Sequence, residues 1–116
     1  MIHILWRFTA AAVLVIAAES AVAIECVEPG RAPVMPQGAT FSKSEMDAGK
    51  VARDKFVDAV EAFVECQQKR IATAPRGTKE ETLQSWRDSI READNARIAV
   101  NFIFQSQMWA YENRKR

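Results

Sequence analysis

The chain has 116 residues, 48% of them hydrophobic, and a formal net charge of +1 at pH 7. This length suffices for one small domain with a modest core. A net charge so close to zero supplies no field that would steer nucleic acid or an acidic substrate toward the protein. Nucleic-acid binding is therefore not expected.

Residues 1–23 have the pattern of a signal peptide. One basic residue, Arg7, precedes an apolar run of eleven residues, FTAAAVLVIAA, which is the length of a signal-peptide core. The Ala21–Ala23 triplet fits the small-x-small rule for cleavage, so we expect the mature chain to begin at Ile24 and to be periplasmic or secreted. An uncleaved anchor is the alternative, although a membrane span requires about 20 apolar residues.

The chain has two cysteines, Cys26 and Cys66. Exported proteins meet an oxidising environment in which paired cysteines persist, so we expect a disulfide between them within one chain. Two independent thiols or an intermolecular bridge are the alternatives. Lipid attachment at Cys26 is disfavoured because Glu25, directly before it, is not a small residue.

Residues 24–41 are predicted to be an extended, proline-rich strip. Pro29, Pro33 and Pro36 each lack the amide proton that a helix requires. The strip is not polar enough for a free linker, because Val34 and Met35 need an apolar surface to lie on.

A first helix is predicted from Lys43 to Thr73. Ser42 and Glu45 have the spacing of a capping box, in which each side chain accepts a hydrogen bond from the other residue's amide. The apolar stripe has the period of a helix; its members are Met46, Ala52, Phe56, Val60, Phe63 and Cys66, widened by Val57, Val64 and Ile71.

The segment 74–77 (APRG) ends this helix, and a second is predicted from Lys79 to about Glu112. Thr78 and Glu81 have the spacing of a second capping box. The apolar stripe alternates by three and four; its members are Leu83, Trp86, Ile90, Ala93, Arg97, Val100 and Phe104. Two long helices with a short loop predict an antiparallel hairpin over residues 42–116, an all-α fold.

The extended strip is long enough to run back along the first helix. Sixteen residues from Cys26 to Ser42 span about 50 Å when extended, whereas the helix from Ser42 to Cys66 rises about 36 Å. The disulfide would then tether the strip near the hairpin loop, and the strip would add a third layer to a thin two-helix core.

Side chains that carry chemistry are scarce. The mature chain has no histidine because His3 belongs to the signal segment, and a disulfide would remove both thiols as metal ligands. Pairs of carboxylates such as Asp54 and Asp58 lie one helical turn apart, as is common on solvated helix faces. We therefore expect no catalytic residue, no metal and no cofactor.

Residues 98–111 (IAVNFIFQSQMWAY) are apolar around most of the helix circumference. In one interpretation Val34, Met35 and Phe41 wrap this segment and form a local core. In the other it is an interface for a second copy or another envelope protein, because clustered aromatics and methionine with few charges suit an interface core. The predicted interface residues are Phe102, Ile103, Met108 and Trp109.

Cys26, the Pro-Gly strip, a capped helix ending in Phe63-Val64-Glu65-Cys66 and a second helix with Trp86 resemble small exported α-helical bacterial proteins of uncharacterised function. The resemblance implies a fold and a compartment, and no functional residue. We expect a non-enzymatic structural or interaction module. The alternatives are a helical envelope chaperone or stress protein and, if the signal segment stays in the membrane, an anchored subunit of a membrane complex.

Overall fold

The computed structural model describes residues 24–114, which form two long helices, α1 (Lys43–Ala72) and α2 (Glu80–Asn113). Within this range no residue belongs to a β-strand, and neither helix is apolar enough over sufficient length to cross a membrane. The predicted all-α hairpin is confirmed. The predicted signal segment and the last two residues of the chain lie outside the described range.

The predicted start of α1 is confirmed. The Glu45 amide donates to the Ser42 hydroxyl at 3.2 Å, and the Ser42 amide donates to the Glu45 carboxylate at 3.1 Å. These two bonds satisfy amides that the first turn of a helix leaves without partners. At the other end the Thr73 hydroxyl donates to the Lys69 carbonyl at 2.8 Å. The last residue of α1 is Ala72, one residue before the predicted boundary.

The predicted capping box at Thr78 and Glu81 is wrong. The N-cap of α2 is Lys79, and its side chain makes no capping hydrogen bond. The Thr78 hydroxyl instead donates to the Pro75 carbonyl at 2.6 Å, closing the turn in which Gly77 has a φ of 87°. The hydroxyl is thus used by the loop, and α2 begins one residue later than predicted.

The two helices pack antiparallel. Near the loop the Gln67 amide donates to the Ser89 hydroxyl at 2.9 Å, and the Arg70 guanidinium lies 4.2 Å from the centre of the Trp86 ring. Toward the other end, the Arg53 guanidinium lies 4.3 Å from the Phe104 ring. Residues nearer the start of α1 therefore contact residues nearer the end of α2, as expected of an antiparallel pair.

The core follows both predicted stripes, with one addition. The buried side chains are Met46, Phe56, Val60, Phe63 and Gln67 on α1 and Ala93, Val100 and Phe104 on α2. Leu83, Trp86, Ile90 and Arg97 are half-buried at the edges. Gln67, only 5% exposed, is a polar core residue that the apolar pattern missed.

Residues 24–38, called the strap from here on, lie along the hairpin in the opposite direction to α1. The predicted Cys26–Cys66 disulfide is present, with the two Cα atoms 5.6 Å apart. Farther along, Pro29 and Pro33 line a shallow hollow together with Phe56, and Met35 packs against the buried cluster. The strap therefore forms the third layer that its length allows.

The far end of the strap is fixed on α2. The Gly38 amide donates to the Gln107 side-chain oxygen at 2.8 Å, and a Cβ on Gly38 would overlap the Gln107 carbonyl oxygen. The amides of Thr40 and Phe41 then turn back onto the Gln37 carbonyl at 3.1 and 2.9 Å. After this turn the chain enters α1 at Lys43.

Candidate interaction surface

Residues 98–111 of α2 present two opposite faces. Val100 and Phe104 point into the hairpin and are buried. Ile98, Phe102 and Trp109 are 58%, 70% and 68% exposed. We call the surface formed by Ile98, Phe102 and Trp109 the α2 face.

Helix geometry explains this division. At 3.6 residues per turn, Phe102 and Trp109 lie within about 20° of one another, and Ile98 lies about 40° from Phe102. Val100 lies about 160° from Phe102 around the helix axis. The α2 face is therefore directed away from α1 and from the core.

The four predicted interface residues do not all belong to this face. Ile103, 45% exposed, borders the α2 face on one side, and Met108 is half-buried on the other side, toward the core. Phe102 and Trp109 lie at its centre. Ile98 extends the face by one turn; its helical spacing from Phe102 and Trp109 predicts the same side, although it was not among the predicted interface residues.

An open hollow of about 320 Å³ lies on the α2 face, lined by Phe102, Gln105, Ser106 and Trp109. On its polar rim, the Ser106 hydroxyl donates to the Phe102 carbonyl at 2.9 Å. The four residues have the i, i+3, i+4, i+7 spacing of a hole that receives a side chain from a facing helix. The hollow therefore has the residue spacing of a helix-packing hole.

The segment carries no charge over fourteen residues. Arg97 precedes it and Glu112 follows it, and residues 98–111 contain no Asp, Glu, Lys or Arg. Charged side chains are depleted at interface cores, whereas aromatic residues and methionine are enriched there. The α2 face is thus apolar, partly aromatic and free of charge.

The strap covers only the inward side of this segment. Met35 packs against the cluster that contains Val100, and the carbonyl of the half-buried Phe41 accepts a hydrogen bond from the Arg114 guanidinium. Val34, expected to join such a wrapping, is 96% exposed. Of the three residues expected to wrap the segment, Met35 thus packs on its inward side and Val34 does not, and the α2 face stays exposed.

Histidine and metal-binding clusters are the first features to look for in a catalytic site. Residues 24–114 contain no histidine and no cluster of His, Cys, Asp and Glu that could hold a metal ion. Asp54 accepts from its neighbour Arg53 at 2.8 Å. The pKa of Lys43 is raised by its hydrogen bond to Asp47 and by the charge of that carboxylate, an ordinary exposed ion pair.

Comparison of the chain with protein-family models, with curated proteins and with solved structures found no match. The resemblance to small exported helical bacterial proteins stays a prediction. Function is therefore inferred from the chain's own residues, foremost from the α2 face.

Proposed function

We propose that the protein is an exported, non-enzymatic interaction module that associates with a second copy of itself through the α2 face. The observation that carries this proposal is the exposure of two aromatic side chains, Phe102 and Trp109, on a helix face without charge. Covering such a side chain contributes about 1.5–3 kcal/mol. A partner that covers both stabilises the assembly substantially.

A second copy fits this face because the face contains both halves of a helix-packing motif. The hollow between Phe102 and Trp109 can receive a large side chain, and Phe102 and Trp109 are themselves large exposed side chains. In a two-fold antiparallel pairing, each copy inserts an aromatic residue into the hollow of the other. The surface is thus self-complementary.

The electrostatics favour the same pairing. Because residues 98–111 carry no charge, two copies bring no like charges together at the centre of the contact. An antiparallel arrangement also sets the dipole of each helix against that of the other.

The available area indicates a modest affinity. An aromatic side chain contributes about 150–250 Å², so the exposed parts of Ile98, Phe102, Ile103 and Trp109 amount to roughly 400–500 Å² per copy. A two-fold contact then buries roughly 800–1,000 Å² in total, below the roughly 1,200 Å² at which stable specific interfaces begin and within the range of weak, transient contacts. We expect a reversible dimer with a dissociation constant on the order of micromolar.

The test is a pair of double variants. Phe102→Glu with Trp109→Glu places two carboxylates on the α2 face and should convert the dimer to a monomer with unchanged helical circular dichroism. Val34→Glu with Val51→Glu is the matched control, because both valines are exposed on other elements; it should leave the dimer intact. Loss of helical signal in the first variant would show that Phe102 and Trp109 are core residues and would refute the proposal.

Export is tested separately by the intact mass of protein isolated from the cells that make it. A chain beginning at Ile24 would support export with cleavage. A chain that retains Met1 and stays with the membrane would favour the anchored-subunit alternative. Suppression of aggregation of several unrelated unfolded proteins, unchanged in the α2 face variant, would favour the chaperone alternative.

A further inference from the structure

We propose that the Cys26–Cys66 disulfide is a redox latch that keeps the strap over the groove between α1 and α2, and that its reduction releases residues 24–36 while the hairpin stays folded. The strap lies on the inner groove and the α2 face points outward. This inference therefore does not depend on the proposed dimer.

The two ends of the strap are held by different means. At Gly38 the attachment is a hydrogen bond to Gln107 and close packing on the α2 backbone. At Cys26 it is the covalent bond to Cys66. Reduction removes the second attachment and leaves the first, which then acts as a hinge.

Between these ends the strap relies on apolar packing alone. Within the described residues, no hydrogen-bond donor of residues 24–36 reaches an acceptor on α1 or α2. The Cys66 sulfur lies 3.9 Å from the Glu25 carbonyl oxygen, but it carries no hydrogen while the disulfide is intact. Several of its side chains face solvent, and Val27 and Val34 are among the most exposed apolar residues of the described chain. Without the disulfide, the contacts of Met35 and the prolines must alone offset the conformational entropy of an ordered segment.

The strap covers an apolar groove. Pro29 and Ala32 line a hollow together with Phe56, Phe63 and Ala93, residues of both helices. Release of the strap would uncover these side chains to water, and an apolar dye would detect them.

The hairpin has attachments of its own that reduction does not touch. Gln67 bonds Ser89, and Arg53 lies over Phe104. The Ser42 capping box holds the first turn of α1. We therefore expect both helices to persist after the latch opens.

The chemistry is thiol–disulfide exchange with an external dithiol. One thiolate of the dithiol attacks a sulfur of the disulfide and forms a mixed disulfide; its second thiol then displaces the protein sulfur. Cys26 and Cys66 gain two electrons and two protons, and the dithiol becomes a cyclic disulfide. Both cysteines are only half-buried, so the reagent has access.

The experiment uses Arg31, the one Lys or Arg residue between Ile24 and Ser42, as a tryptic site. Trypsin requires a detached segment, so cleavage after Arg31 should be about tenfold faster or more after reduction with dithiothreitol. Fluorescence of an anilinonaphthalene sulfonate dye should rise while helical circular dichroism stays constant. A variant with both Cys26→Ser and Cys66→Ser should behave as the reduced protein does, with or without dithiothreitol.

Two results would overturn the latch. Cleavage at Arg31 at the same rate before and after reduction would show that packing alone holds the strap. Loss of helical signal on reduction, or in the double variant, would show that the disulfide holds the hairpin itself together. The control Val34→Ser, at an exposed strap position, should retain the slow cleavage of the oxidised protein.

Discussion

Gly49 of α1 lies directly under Pro36 of the strap. A Cβ on Gly49 would come within 2.5 Å of the Pro36 Cγ and 2.6 Å of its Cδ. These distances are shorter than carbon atoms tolerate, and a proline ring has little freedom to move aside. The glycine in the second turn of α1 is therefore required by the strap, although a glycine weakens an isolated helix.

The change Gly49→Ala separates these two effects. Helix propensity alone favours alanine by up to about 1 kcal/mol, but the added methyl group must displace Pro36. We expect a net decrease in the free energy of unfolding, measured by urea denaturation. Ala48→Gly at the exposed neighbouring position measures the effect of helix propensity alone. It should lower the free energy of unfolding by about 1 kcal/mol. A more stable Gly49→Ala protein would contradict the close contact with the strap.

Gln67 links the helices from within the core. Its amide donates to the Ser89 hydroxyl, which in turn donates to the Trp86 carbonyl at 2.7 Å. Gln67→Ala should lower the free energy of unfolding by about 1–3 kcal/mol, because it removes this bond together with buried volume. Gln68→Ala, next to it but exposed, should have an effect below about 0.5 kcal/mol. Equal effects of the two changes would be inconsistent with the inter-helix bond.

The two helix starts should respond differently to the same substitution. Glu45→Ala removes the carboxylate that accepts a hydrogen bond from the Ser42 amide. It should lower the free energy of unfolding by about 0.5–1 kcal/mol. Glu81→Ala removes a carboxylate with the same sequence spacing but no capping bond, so only its weaker interaction with the helix dipole is lost. Thermal unfolding of both variants checks the difference, and a larger loss for Glu81→Ala would be contrary to the structure.

Local patterns predicted most of this fold. The Ser42–Glu45 spacing, the apolar stripes of both helices and the APRG loop act over a few residues, and the structure follows them. The Cys26–Cys66 bond was also predictable, because the chain has two cysteines and the extended segment between Cys26 and Ser42 is long enough to run back along the first helix to Cys66.

The missed features depend on contacts between elements. Thr78 has the spacing of a cap, but its hydroxyl closes the loop turn onto Pro75, a choice that sequence spacing does not encode. The position of Gln67 four residues after Phe63 fits the buried stripe, yet a hydrophobicity pattern omits a polar residue. Likewise, the contact of Gly38 with Gln107 depends on how the strap packs against both helices, which sequence spacing does not encode.

Sedimentation equilibrium of the wild-type protein from about 1 to 500 µM measures association through the α2 face, since this range brackets the expected affinity. If the α2 faces of two copies associate, the weight-average mass should rise with concentration from that of one chain toward that of two. In the Phe102→Glu, Trp109→Glu variant the mass should stay at one chain throughout. A wild-type mass of one chain at the highest concentration would contradict the proposed function.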